Sequence, residues 1–336
     1  MNARPRPEDH RYGFVLGTGR CGSTVVHEVL ARHPDAAFLS NVQDISSMAP
    51  GRRWNNMIYR RVPARFTQKG RLRYAPSEGY RLLDRVVSPI LSSPSRDLTE
   101  ADVTPWLQQR FEDFFREEAE RQGLPLFLHK FTGWPRARLL HAVFPEARYI
   151  NIIRDGRAVA NSWLQMPWWR GHLGPSQWHF GPLPPALEKE WESSGRSLVL
   201  LAGLAWKLLM DTFEETRAAL PSDLWLDVRF EDVVAAPRQE FGRMLDFLGL
   251  EWTAGFERGF EKHSFSTSRT QAFKRDLTAD QVVLLTVSMQ QQLQRYGYEP
   301  STEPAASTER PSNGCTNGAG PGAPSDLASS RQHNSN

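Results

Sequence analysis

Apolar positions in this chain follow two rhythms. Short, nearly unbroken apolar runs at 12–16, 126–130, 148–153 and 224–230 read as strands buried on both faces, with 36–39 as a further short strand. Elsewhere apolar residues recur every three or four positions, the spacing of a helix face. Val25, Val26, Val29 and Leu30 form one such face. Trp106, Leu107, Phe111, Phe114 and Phe115 form another across 104–122, with Thr104 placed to cap it and Pro105 in its first turn. Further helices are expected around 136–144, over 197–220, over 238–248 ending at Gly249, and from 278 to about 295. Buried strands alternating with helices are the signature of βαβ units, so the expected fold is α/β, a three-layer parallel sheet flanked by helices.

Two stretches break this rhythm. Residues 41–95 are irregular and punctuated by Pro50, Pro63, Pro76, Pro89 and Pro94, and 163–191 is crowded with Trp, Pro and Gly. They are read as insertions at 41–100 and 163–196 in one domain running from 11 to 300, the second with the length and composition of a lid. Beyond Pro300 the chain turns to Ser, Gly, Pro, Asn and Ala, which cannot offset the entropy of ordering, so 301–336 is expected to be disordered, as is 1–10. The first ten residues hold Arg4, Arg6, Glu8 and Asp9 without an apolar core, unlike a secretory signal, and the cytoplasm is the expected compartment. The apolar stretch 197–210 is interrupted by Gly203 and Lys207 and falls short of the roughly 20 residues a membrane span needs; no transmembrane segment is expected.

Composition narrows the class without choosing a function. With 336 residues, 40% hydrophobic and 24% charged, the chain has the material for a large core. Net charge is only +3, but Arg52, Arg53, Arg60, Arg61, Arg65, Lys69, Arg71, Arg73, Arg81 and Arg85 face only Glu78 and Asp84 between 51 and 85. Such a run reads as a solvated face or as a contact for an acidic acceptor or anionic surface. No nucleic-acid partner is expected, and the oligomeric state is left open. Cys21 and Cys315 are the two cysteines, one in a glycine loop and one in the low-complexity tail, a poor pair for a disulfide.

Chemistry enters at the end of the first strand, where residues 17–24 read Gly-Thr-Gly-Arg-Cys-Gly-Ser-Thr ahead of a helix. Glycines let the backbone approach an oxyanion closely, the helix adds its unpaired N–H groups and positive end, and Ser23 and Thr24 add hydroxyl donors. Gly17 and Gly22 have the spacing of a Walker A loop, yet Ser23 stands where that motif has Lys. The magnesium-nucleotide version is therefore damaged, no metal is expected, and the cation lies inside the loop at Arg20. A second cluster follows the strand 148–153: Arg154 at its carboxyl edge and Ser162 eight positions on in the next helix, a guanidinium and a hydroxyl suited to one phosphate.

Together these segments resemble the PAPS-dependent sulfotransferases, a P-loop-containing nucleotide-binding fold, with motifs nearest the tyrosylprotein and carbohydrate type; the resemblance extends over about 10–300. It implies transfer of a sulfuryl group from 3′-phosphoadenosine-5′-phosphosulfate (PAPS) to a hydroxyl or amine on a small molecule, glycan or lipid-linked acceptor. Gly19, Arg20, Cys21, Gly22, Ser23 and Thr24 match the 5′-phosphosulfate loop, Arg154 and Ser162 the 3′-phosphate site, with Arg157 as the nearby alternative, and Arg275 a late donor-covering loop. Lys130 matches a catalytic lysine at a strand end, joining Arg20 as second cation. The base does not carry over: the tyrosylprotein enzymes place Glu shortly after a His-Pro-Asp turn, but His33, Pro34 and Asp35 are followed there by Ser40 and Asn41. Asp44, the nearest carboxylate downstream, stands ahead of His129 as the alternative. Trp163, Trp168, Trp169, Trp178 and Phe180 suit either an acceptor wall or ordinary core. Two competing functions are a P-loop kinase-like phosphotransferase, disfavoured by the missing Lys, and a nucleotide- or glycan-binding module on the same fold without turnover.

Overall fold

Five short strands, β1 (Arg11–Leu16), β2 (Ala36–Ala37), β3 (Leu126–Lys130), β4 (Arg148–Ile153) and β5 (Trp225–Arg229), pair in the order β2-β3-β1-β4-β5, and every pair is parallel. The computed structural model describes residues 10–45, 54–61 and 74–298. The expectations for the chain's two ends, for Cys315 and for most of the basic run lie outside the described residues.

Strand alternation explains the three layers. On β1, Phe14 and Leu16 enter one core with Phe111 and Phe115 of the helix Pro105–Gln122 and Leu139 and Leu140 of the helix Ala137–Val143. Val15 faces the other way, into a core with Val26 and Val29 of the helix Ser23–Leu30 and Phe241, Met244 and Leu245 of the helix Pro237–Leu248. Both faces are dry, which is why these strands lack polar alternation. A third core joins the helices Gly156–Leu164, Leu198–Ala219 and Ala279–Ser288 around Trp163 and Trp206.

The helix ends show the anticipated chemistry. Thr104 Oγ1 accepts from the Leu107 N–H (3.2 Å), Ser197 Oγ from the Leu200 N–H (3.3 Å), and Gly249 takes a left-handed φ of 66° after Leu248. Three expectations shift. The strand at 36–39 shortens to Ala36–Ala37 because the Gln122 amide satisfies Phe38, accepting from its N–H (3.2 Å) and donating to its carbonyl (3.0 Å). The helix expected over 278–295 divides at Met289, which is fully buried and leaves helical geometry between Ala279–Ser288 and Gln290–Arg295. Within 163–196 lies a helix, Pro185–Ser193, none of whose residues is fully buried; its apolar face is only Leu187 and Trp191, four apart and partly buried against the third core. No described helix is long and apolar enough to cross a membrane.

The order of strands positions the chemistry. From β1 the chain builds β2 and β3 on one side, then crosses to β4 on the other, and ligands of open α/β sheets bind where the direction reverses, beyond the strands' carboxyl ends. Here those ends deliver the glycine loop from β1, Lys130 from β3 and Arg154 just after β4, with Val15 in register with Lys130 and Leu16 with Asn151.

Candidate active site

Backbone geometry shapes the loop at the end of β1. Gly22 precedes the helix Ser23–Leu30 with φ 96°, and a Cβ there would run into the Phe230 ring. Arg20 adopts the left-handed region as well (φ 56°) without being glycine, at a cost of about 1–2 kcal/mol that tertiary contacts must offset. No side chain caps the helix Ser23–Leu30, so its leading N–H groups are left for an acceptor arriving from outside the helix. Cys21 is a free, buried thiol packed beneath Gly17.

The second motif meets this loop directly. Arg154 donates through Nη1 to the Arg20 carbonyl (2.9 Å) and through Nη2 to the Arg269 carbonyl (2.7 Å), with its guanidinium 5.1 Å from the Phe230 ring centre. Burial lowers its pKa and the nearby Glu231 opposes that shift, but a guanidinium remains protonated under ordinary conditions. Arg20 Nε donates to Ser162 Oγ at 2.9 Å. The neighbouring Arg157 is buried and committed to Asp155, which caps the helix Gly156–Leu164, so Arg154 is the arginine that reaches the loop.

Lys130 closes the opposite side. Its ammonium donates to Thr24 Oγ1 (2.7 Å) and pairs with Glu78 (3.0 Å). Glu78 also accepts from Thr132 Oγ1 (3.1 Å), and the Thr132 N–H donates to the Tyr80 hydroxyl (3.1 Å). Next in the chain, the Gly133 N–H donates to the Gly17 carbonyl (3.0 Å), tying the segment after β3 to the glycine loop.

Other expected residues sit elsewhere. Asp44 Oδ1 accepts from the Leu82 N–H (3.1 Å), capping the helix Tyr80–Val86. His129 is fully buried between Phe115 and Phe131, ring centres 5.3 and 4.6 Å away, and neither ring nitrogen has a partner among the described residues. Burial, then the charge of Lys130, lowers its pKa to about 3, so it is neutral across the physiological range. Arg275 is exposed and pairs with Asp276 (2.9 Å), which accepts from Asn161 Nδ2 (3.0 Å), the residue before Ser162. Trp163, Trp169, Trp178 and Phe180 belong to the third core, whereas Trp168 is half exposed.

The segment around Thr132 has its own anchor. Arg136 Nη1 donates to the carbonyls of Thr132 (3.1 Å) and Trp134 (2.6 Å), while Asp97 accepts from the Arg136 N–H (2.6 Å) and the Thr216 hydroxyl (3.3 Å). Burial pushes Asp97 up from 3.8 to about 6 against these hydrogen bonds. A carboxyl with a raised folded-state pKa stabilises the fold below its unfolded value and loses that contribution as pH rises through about 6. Relative to Asp97→Asn, the wild-type chain should therefore lose about 2–3 kcal/mol between pH 4 and 7, measured by denaturant titration across that range. A constant difference between the two proteins would show that Asp97 does not titrate there.

Sequence reading missed Glu78, Thr132 and Phe230 as site residues. The available signal for Glu78 was its position as one of two acidic residues within a basic run.

A family model described as Sulfotransferase family matches residues 14–254. Among solved structures the chain resembles sulfotransferase STF9 from Mycobacterium avium, at 16% identity and TM-score 0.54 over 86% of this chain and 78% of that one. It also resembles the sulfotransferase domain of the Synechococcus PCC 7002 olefin synthase, at 19% identity and TM-score 0.46 over 89% of this chain and 99% of that one. At 16% identity the first of these likenesses concerns the fold alone. No curated protein matches the chain. Since the matched region takes in the end of β1, the other four strands and the segments that carry the loop, Lys130, Arg154 and Ser162, the chain belongs to the sulfotransferase family.

Proposed function

We propose that the protein transfers the sulfuryl group of PAPS to a hydroxyl or amine acceptor, a small molecule, glycan or lipid-linked group. In this reading the 5′-phosphosulfate lies against Gly19, Arg20, Cys21, Gly22, Ser23 and Thr24, and the 3′-phosphate against Arg154 and Ser162. One observation carries it: Arg20 accepts from Arg154 through its carbonyl and donates to Ser162 through Nε, so residues assigned to opposite ends of one donor form a single wall.

Unused donors support the fit. Arg154 Nε and Trp163 Nε1 are buried without a partner among the described residues, and Trp163 Nε1 is 3.7 Å from where a Cβ on Gly19 would stand. Buried donors left this way suit a ligand rich in acceptor oxygens. PAPS, when bound, supplies the sulfuryl group and a bisphosphate leaving group. Arg20, Lys130 and the open N-terminus of the helix Ser23–Leu30 stabilise the charge that develops on that leaving group, and no metal is part of the proposal. Arg275, linked through Asp276 to Asn161, is kept as an outer contact. A reducing cytoplasm, the proposed compartment, suits the free Cys21 thiol.

Calorimetry with wild-type protein tests the donor. Because a charge-assisted hydrogen bond contributes about 1.5–3 kcal/mol, 3′-phosphoadenosine-5′-phosphate should bind roughly 10–100-fold more tightly than adenosine 5′-phosphate. Equal affinities would remove the 3′-phosphate site from the proposal.

A further inference from the structure

Glu78 is the carboxylate paired with Lys130, and nothing in the donor's chemistry requires it. A site built to bind a polyanion is weakened by a negative charge within it, so a carboxylate bonded to one of its two central cations calls for another task. Both contacts of Glu78 among the described residues, Lys130 Nζ at 3.0 Å and Thr132 Oγ1 at 3.1 Å, fall on Oε1. Its Oε2 has no partner among the described residues, and the side chain is 31% exposed, enough for a ligand to reach it. Beside it is room: a Cβ on Gly133 would meet no atom within 4 Å, and Gly133 bonds to Gly17 of the donor loop. That open space adjoins Thr132, which bonds to Glu78, and Gly133, which bonds to the loop.

We infer that Glu78 is the base that takes the acceptor's proton, and that its ion pair with Lys130 times the release of positive charge toward the leaving group. The inference rests on the sulfuryl-transfer reading above. The acceptor oxygen forms a bond to sulfur as the bond from sulfur to the 5′-phosphate oxygen breaks, and that electron pair leaves on the bisphosphate. The acceptor's proton passes to Glu78 Oε2. Once neutral, Glu78 no longer holds the charge of Lys130, whose ammonium already reaches Thr24 of the loop at 2.7 Å and turns its field on the phosphate that is gaining charge. Thr132 and Tyr80 are positioning residues: they hold the carboxylate and the segment after β3 in place and touch no reacting atom.

The inference predicts opposite signs for two measurements on Glu78→Gln. Affinity for 3′-phosphoadenosine-5′-phosphate, by calorimetry, should be unchanged or a few-fold tighter, because a negative charge has left the site. Turnover of radiolabelled PAPS should fall by about 10²–10⁴-fold. The acceptors are nitrophenol, phenol, an aliphatic alcohol and water, and the loss should shrink as the acceptor becomes more acidic, since an ionised phenol needs no base. Glu78→Asp should recover part of the rate. The base assignment is overturned if Glu78→Gln weakens bisphosphate binding, loses rate equally across the series, or loses less than Asp44→Asn measured beside it. It is also overturned if wild-type protein binds the bisphosphate but transfers to none of these acceptors. Wild-type protein that gives no heat with the bisphosphate would remove the donor reading itself, and this inference with it.

Discussion

Replacing Lys130 with Ala should lower kcat by about 10²–10³-fold, the usual loss when one preorganised donor to a developing anion is removed. Two effects combine. The ammonium that reaches Thr24 is gone, and Glu78 is left as an uncompensated negative charge facing an anionic donor. Bisphosphate affinity should therefore fall as well, by about tenfold, as one charge-assisted contact at a partly hydrated site is lost. Single-turnover transfer from radiolabelled PAPS separates the chemical step from product release. The double variant Lys130→Ala with Glu78→Gln makes the test sharper. Because the two side chains act as a pair, its rate should lie near that of the slower single variant, and its bisphosphate affinity should recover toward wild type. Strictly additive losses would mean that Lys130 and Glu78 work independently.

Arg154→Ala should weaken 3′-phosphoadenosine-5′-phosphate binding by roughly 100-fold, equivalent to about 2.7 kcal/mol, and leave adenosine 5′-phosphosulfate within a few-fold of wild type. The second nucleotide lacks the 3′-phosphate, so it reports whether the loop survives the substitution. That control is needed because Arg154 also braces the carbonyls of Arg20 and Arg269, and Arg20 sits in a strained left-handed conformation. Arg154→Lys should fall between the two, since an ammonium retains charge but cannot reproduce the guanidinium's fork of donors. Calorimetry with both nucleotides on all three proteins decides the matter. Equal losses for the two nucleotides would make Arg154 a structural brace rather than a phosphate ligand.

Several parts of the site were legible because their signals are local. A glycine loop between a buried strand and a helix needs only eight consecutive residues to be recognised, and Arg154 with Ser162 lies in a single strand-to-helix passage. Lys130 could be placed from the strand it ends. The helices with capped ends and a buried stripe were equally readable, whereas Pro185–Ser193 offers only the pair Leu187 and Trp191, partly buried. Asp44 and His129 mark where local reasoning stopped. A carboxylate at 44 is visible in the sequence, but its hydrogen bond to the Leu82 N–H spans 38 positions. His129 and Lys130 are neighbours on one strand, so alternation sends them to opposite faces, one among phenylalanine rings and the other toward Thr24. Glu78 is legible only as an acidic residue in a basic run, since its partner Thr132 lies 54 positions away.

Sequence by itself determined the parallel α/β architecture and the two segments proposed to hold the donor, because strand burial, helix periodicity and loop chemistry are set by residues close together in the chain. Tertiary structure alone decided which arginine meets the loop, that Arg20 and Ser162 share a hydrogen bond, and which carboxylate stands beside Lys130. Those contacts join segments 52 to 142 positions apart. Their partners are chosen by strand order and by how helices pack across a sheet, and no short stretch of sequence records either.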